Sequence, residues 1–410
     1  MDIRLAYGKD GLSIDVPDWV QVDRFGLSTV EKPAGYPEFS AAVVASGLAD
    51  LLACESLLVV VNDGHRPTPT PTVLGWLDRH DSSFLSRARF LIACGTHAAP
   101  TPEHLLKVFG PFLDRVRDRI AWHDCRDLSS MVEVGRDRFG QPVYLKREAA
   151  AAERILVITS VEPHYFAGFT GGRKSFFPGL SDLATIERNH NMANSLECMP
   201  LRLIGNPMSE HLHELLGLID LSKVGSIQIV ADVDHRPAGV FCGDLVGAFE
   251  AAARAARELY AYPVTEPYDL VLAEVRPPLD RSLYQIQKGL ENTQMGVRDG
   301  GTDVVVGYCE DGVGSKPFFE LAAIWDREKN APSDGVTRFG SHKLSRVNAM
   351  TRRIKVRIFS TLPPDAPRRV FYEPVSDLQA LMGECLSADR NRLAIVHDAG
   401  HAVLELTSVT

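Results

Sequence analysis

The chain has 410 residues, 45% hydrophobic and 24% charged, the mix of a globular protein long enough for two domains. Its formal net charge of -9 disfavours a nucleic-acid partner, whose phosphates would repel it, so an anionic ligand must be gripped by local Arg and Lys. The seven cysteines are scattered, odd in number and never spaced CxxC, which argues against a zinc knuckle or disulfide framework and suits a reducing cytoplasm.

The opening stretch MDIRLAYGKDGLSIDVPD has no charged segment leading into an apolar core, so no signal peptide is expected. No apolar run reaches the roughly 18 residues of a membrane span. From there short apolar runs alternate with helical patterns. SLLVVVND (Ser56–Asp63), RFLIACGTH (Arg89–His97), RIAWHDC (Arg119–Cys125) and RILVITSVEPH (Arg154–His164) read as strands covered on both faces. Between them TPEHLLKVFGPFLDRVRD reads as a helix capped by Thr101, with Glu103 in its first turn.

GDLVGAFEAAARAARELY (Gly243–Tyr260) is a further helix, and the proline-bearing YPVTEPYD (Tyr262–Asp269) then breaks the pattern. Beyond it DLVLAEV, TDVVVGY, RIKVRIF and RRVFYEPV read as strands and DLQALMGECL as a helix; a last strand, RLAIVHDAGHAV, suits either domain. The expected fold class is α/β: two mixed α/β domains, 1–265 and 266–400, with the active site in the cleft between them. The tail, residues 400–410, is expected to pack back on the first domain.

Asp63, His97, His123 and His164 all fall at or just past the C-terminal ends of expected strands, the edge where open α/β sheets bind ligands. His80, His104, His211, His213 and His235 read as bystanders. EPHYFAGFTGGRKSFFPGL (Glu162–Leu180) looks like a phosphate loop but lacks the GxxxxGK[ST] spacing. Taken alone, Gly171–Gly172 is a tight turn, Lys174 a solvated lysine and His190 an exposed helix position.

Taken together, the segments tell more. NDGHRPTP (Asn62–Pro69), CGTH (Cys94–His97), EPHYFAGFTGGRKSFFPG, ERNHNMA (Glu187–Ala193) and YQIQKG (Tyr284–Gly289) resemble, in this order, the motifs of the lactate racemase family. These are nickel-pincer nucleotide enzymes that racemise or epimerise 2-hydroxy acids. The resemblance implies that His97 and His164 are the acid/base pair on opposite faces of the substrate. It makes Lys174 a contact of a cofactor thiocarboxylate, covalent in some members, and His190 the protein ligand of nickel. Asp63 and Arg66 match a DxTR motif at the cofactor and substrate, and Gly171 and Gly172 line the cofactor. Tyr284, Gln285 and Lys288 match residues that close over the cofactor and the substrate carboxylate. The implied partners are a small 2-hydroxy acid and the enzymes that build the cofactor, with no nucleic acid and no membrane.

The residue types make chemical sense. A 2-hydroxy acid has a C2–H too weakly acidic for easy carbanion formation, and passage through a planar 2-keto acid by hydride transfer avoids that step but requires a cofactor. A histidine base is then needed on each face, and Arg66 can grip a carboxylate bidentately. One departure stands out: His65 replaces the motif's threonine, giving DGHR. That imidazole could contact phosphate, reach the substrate or face outward, and it suggests a substrate other than lactate. His123 and His342 remain candidate substrate contacts. Two alternatives stay open: a divalent-metal lyase or hydrolase using the same histidines, and a cofactor-binding homologue without catalysis.

Overall fold

The computed structural model describes residues 1–336, 338 and 340–407. The chain divides into two compact units. The first holds Ser28–His190 and Leu201–Leu259; the second holds Met1–Leu27, Asn191–Pro200 and Tyr260–Thr410. Both are α/β, as the alternation of apolar runs and helices implies.

In the first unit a six-stranded sheet runs in the order Pro237–Asp244, Val224–Ala231, Arg154–Ser160, Leu57–Asn62, Arg89–Ala93, Ile120–Trp122. Only the outer Pro237–Asp244 is antiparallel to its neighbour; the other pairings are parallel, with Val60 opposite Leu91 on one side and Val157 on the other. Leu57, Val59 and Val61 pack with Phe90, Ile92, Leu156 and Ile158 in one core, as β-branched runs on a covered sheet should. Because the strands are parallel, their C-terminal ends share one edge, and the loops leaving it carry Asp63, His97, His123 and His164.

The strand Arg89–Ala93 ends before its apolar run does. After Ala93 the chain turns at Gly95, whose φ of +55° a side chain would resist. The helix expected from Thr101 through Asp118 is capped by Thr101 Oγ1, which accepts the His104 N–H at 3.2 Å. It stops at Phe109, because Gly110 sits at φ +53° with Pro71 against it, and a 3₁₀ turn and the short helix Leu113–Val116 follow.

The second unit has an all-parallel six-stranded sheet ordered Glu373–Pro374, Lys355–Phe359, Val297–Val306, Tyr268–Glu274, Arg392–His397, Gln21–Gly26. Alternate residues serve its two faces: Leu270, Leu272, Val304 and Ile395 in one core, Val271, Ala273, Val305 and Val396 in the other. Two expectations differ here. RRVFYEPV is not a strand: the helix Asp365–Arg369 covers its start, and only Glu373–Pro374 pairs. Val403–Leu406 pairs with Ala261–Val264, inside the expected first domain 1–265, but both strands belong to this unit. Gln21–Gly26 and residues 191–200 belong to this unit, whereas the sequence division placed 1–265 together.

All seven cysteines are free thiols. Among the described residues, no helix is long and apolar enough to cross a membrane.

Candidate functional site

A cavity opens at the C-terminal edge of the first unit's sheet. Asp63, Arg66, His97, His164, Lys174 and His190 all contribute to its lining, with Gly171 and the polar Asn62, Thr159, Ser160 and Thr170 beside them. Six ionisable side chains from four segments thus converge at the sheet edge, most of them delivered by strand ends, Lys174 by the turn Gly172–Ser175 and His190 by the helix Leu183–Asn191.

Asp63 follows the strand Leu57–Asn62 directly, and its Oδ2 lies 2.5 Å from Nδ1 of His97. Its Oδ1 accepts the backbone N–H of His65 at 3.2 Å. Burial pushes the Asp63 carboxyl up, but the hydrogen bond and charge of His97, with His65 and Arg66, outweigh it and hold the group below its ordinary value. A carboxylate there makes Nδ1 of His97 the protonated nitrogen and leaves the Nε2 lone pair to act as base.

His164 is held differently. The backbone N–H groups of Ala167 and Phe166 donate to its Nδ1 at 3.2 and 3.5 Å. A nitrogen that accepts carries no proton, so the neutral ring has its proton on Nε2, the opposite tautomer to His97. Tyr165 stacks on the ring at 5.0 Å and Phe166 meets it edge-on at 4.5 Å, fixing its plane.

His190 lies on the helix Leu183–Asn191, where its Nδ1–H donates to the Ile186 carbonyl at 2.9 Å. Burial, and then the neighbouring Lys174 ammonium, lower it to about 4. The ring is therefore neutral with its lone pair on Nε2, the state and tautomer that metal ligation requires. With Lys174 as a cation in the same cavity, these donors fit a group carrying both a metal and an anionic function.

The glycine turn has a packing cause. At Gly171, φ +80°, a Cβ would lie 2.5 Å from Val161 Cγ2; at Gly172, φ +48°, it would lie 2.6 Å from Phe249. The Gly172 N–H donates to Gln228 Oε1 at 3.1 Å, inside the fold. Both glycines are demanded by close packing whatever else the turn holds.

Arg66 reaches Glu162 at 3.5 Å, an ion pair between residues far apart in the chain that no local sequence pattern announces. His65 is exposed beside the cavity; its ring centroid is 4.4 Å from that of His97 and 4.5 Å from that of His104. His104, read as a bystander, therefore joins the row of imidazoles. Gly64 makes this possible, since a Cβ there would meet His104 Cβ at 2.7 Å. His123 is buried with Nε2 2.9 Å from the Ser181 carbonyl, to which it donates, and it does not line the cavity.

Tyr284, Gln285 and Lys288 lie in the second unit, on the helix Leu283–Thr293. Lys343, fully buried, donates from Nζ to the Tyr284 carbonyl at 2.7 Å and sits 4.0 Å from the centroid of the Tyr284 ring. Burial and Lys288 bring it down to about 7 against the pull of Glu291. A lysine buried under YQIQKG has no sequence signal, because GSHKLSR reads as an ordinary helix start. His342 is likewise buried, on the helix Ser341–Met350.

Residues 7–198 match the family described as lactate racemase N-terminal domain. The chain is similar to the lactate racemase of Lactiplantibacillus plantarum, 30% identical over 308 residues that make up 73% of this chain and 70% of that one. It is similar to the lactate racemase of Thermoanaerobacterium thermosaccharolyticum at 25% over 348 residues, 81% and 79% of the two chains. The solved structure of the lactate racemase apoprotein from T. thermosaccharolyticum aligns over 99% of this chain and 100% of its own, with a TM-score of 0.84 and 21% identity. A Thermotoga maritima protein aligns over 90% and 98%, with a TM-score of 0.68 and 17% identity. These two likenesses speak for the α/β fold. Identity of 30% across more than two thirds of a curated relative speaks for descent, and the chain belongs to the lactate racemase family.

Proposed function

We propose that the chain is an isomerase that inverts C2 of a 2-hydroxy acid, using a nickel-pincer nucleotide. The observation that supports this most is the convergence of Asp63, Arg66, His97, His164, Lys174 and His190 on one cavity. They come from four separate segments of the chain, and together they are two histidine bases, one of them oriented by Asp63, a carboxylate grip, a cation and a neutral metal donor.

When bound, the cofactor would supply the hydride acceptor that lets C2 pass through a planar 2-keto acid. His190 would give nickel its protein ligand and Lys174 would meet a thiocarboxylate, with Asp63, Gly171, Gly172 and Tyr284 as further cofactor contacts. The chain's own part is proton handling and orientation. His97, pinned by Asp63, takes the substrate hydroxyl proton at Nε2, and Asp63 stabilises the imidazolium that forms. His164 serves the opposite face; its Nε2–H first donates to oxygen, and it must loosen its Ala167 contact before it can act as base. Arg66, Gln285 and Lys288 are the proposed carboxylate contacts.

His65 adds an imidazole against His97 where the motif has threonine. This favours a longer or more polar 2-hydroxy acid than lactate: aromatic, dicarboxylic or sugar-derived. The free thiols suit work in a reducing cytoplasm.

The test is a panel of single-enantiomer 2-hydroxy acids, followed by loss of optical rotation on cofactor-loaded protein. At least one should racemise or epimerise, and verified loading without inversion of any acid overturns the proposal. Lactate giving the highest kcat/KM would overturn the substrate part alone.

A further inference from the structure

We infer that Asp63, His65 and His97 form a binding site for a divalent transition cation of the Zn²⁺ type, separate from the metal donor His190. Each of the three offers one donor atom, and these atoms lie within 4.8 Å of one another. Two imidazoles and one carboxylate are the donor set of borderline cations and not of Mg²⁺ or Ca²⁺, which take oxygen.

The geometry needs little rearrangement. Bonds of about 2.0–2.2 Å in a tetrahedral site place donor atoms about 3.4 Å apart. The 2.5 Å contact between Asp63 and His97 must open, and His65 must close in. Both imidazoles are exposed and stand at the surface, so rotation is unobstructed on that side. Asp63, 6% exposed, is the fixed member. The His65 backbone N–H occupies its Oδ1, which directs Oδ2 to the cation. The His104 ring, 4.5 Å from that of His65, backs His65 toward His97.

Arg66 and Lys107 are the nearby cations that oppose binding; Glu162 offsets Arg66 at 3.5 Å, and Lys107 is exposed. Three protein donors leave a fourth position open to water or to a substrate oxygen.

A cation held here occupies a ring nitrogen of His97 and the carboxylate that orients it. The consequence for turnover rests on the proposed acid/base role of His97: zinc would switch the enzyme off reversibly, and a chelator would restore it. The site itself does not depend on that role.

Isothermal titration of Zn²⁺ into the full chain made without cofactor decides the matter, with Co²⁺ absorbance as a second readout. One ion per chain is expected. His65→Thr should weaken binding by more than the roughly 10–100-fold that losing even an outer-shell partner costs. Asp63→Asn should weaken it comparably, and His190→Ala should leave it intact. Binding to His65→Thr as tight as to the parent overturns the site, as does loss of binding in His190→Ala or no stoichiometric binding. If zinc binds through His65 while no 2-hydroxy acid is inverted by loaded protein, the site stands and the racemase reading falls.

Discussion

Oδ2 of Asp63 and Nδ1 of His97 stand 2.5 Å apart, although 34 residues and a whole strand separate them in the chain. Parallel pairing of Leu57–Asn62 with Arg89–Ala93 brings both loops to one edge and makes the contact possible. It turns a loop histidine into an oriented base. Asp63→Asn keeps the shape but takes away the charge that fixes the tautomer. Loaded enzyme should lose about 10²–10⁴-fold in kcat, the range a positioned acid/base group supplies, with a smaller change in KM. An unchanged kcat would show that His97 needs no such partner.

The tautomers of the two histidines are opposite, because His97 faces a carboxylate while His164 faces backbone N–H donors. Nitrogen-15 shifts of histidine-labelled protein without cofactor should therefore report a protonated Nδ1 for His97 and a protonated Nε2 for His164. Finding the same tautomer at both rings would contradict the network that sets them.

Loading is the next expectation. His190 is a neutral donor and Lys174 a cation in one cavity, but neither supplies redox chemistry. Protein expressed without cofactor-building enzymes should be folded by circular dichroism, nickel-free by elemental analysis and inactive. Full turnover from such a preparation would remove the nickel-pincer assignment. His190→Ala should abolish nickel retention after loading while leaving the fold intact.

Strands were the most legible feature of this sequence, because Val/Ile runs of the right length betray sheets covered on both faces. Their ends were not, since Cys94 extends the apolar run past Ala93, where the strand stops just before the turn at Gly95. Gln21–Gly26 hid for a different reason: an edge strand with Gln21, Asp23 and Arg24 has no apolar signature, and its partner Arg392–His397 lies at the far end of the chain. At the site, residue types at strand ends were readable, whereas Glu162 against Arg66 and His104 against His65 arise only from folding. The glycine turn misleads in the other direction, because Val161 and Phe249 alone would demand glycine there.

Asp303 offers a pH test of the second unit. It is buried in the strand Val297–Val306, and burial raises its carboxyl to about 7, against the Thr293 hydroxyl at 2.8 Å and the charge of Arg353. Its ordinary value is about 3.9. The folded state thus keeps a proton that the unfolded chain has already lost. The stability this contributes is fully present below about pH 4 and is lost as pH rises toward 7, at up to about 1.4 kcal/mol per pH unit. Asp303→Asn should remove that share of the slope, measured by urea unfolding across the interval. A variant with the parent's pH slope would mean that Asp303 does not hold its proton.

The label at C2 tests the division of labour most directly. If His97 and His164 handle only the hydroxyl proton, the hydrogen on C2 never resides on a group that exchanges with water. Substrate carrying deuterium at C2 should then keep it in the inverted product, in ordinary water, and should react more slowly. Were the two histidines instead to remove and return the C2 hydrogen as a proton, the label would wash out, because a protonated imidazole exchanges fast. The His97→Ala and His164→Ala variants sharpen the result. By either route each should lose about 10²–10⁴-fold, in both directions of inversion, since each enantiomer needs a group on each face. Only the retained label distinguishes the routes. Deuterium appearing in solvent in step with inversion would rule out the hydroxyl-proton role and require a carbanion at C2.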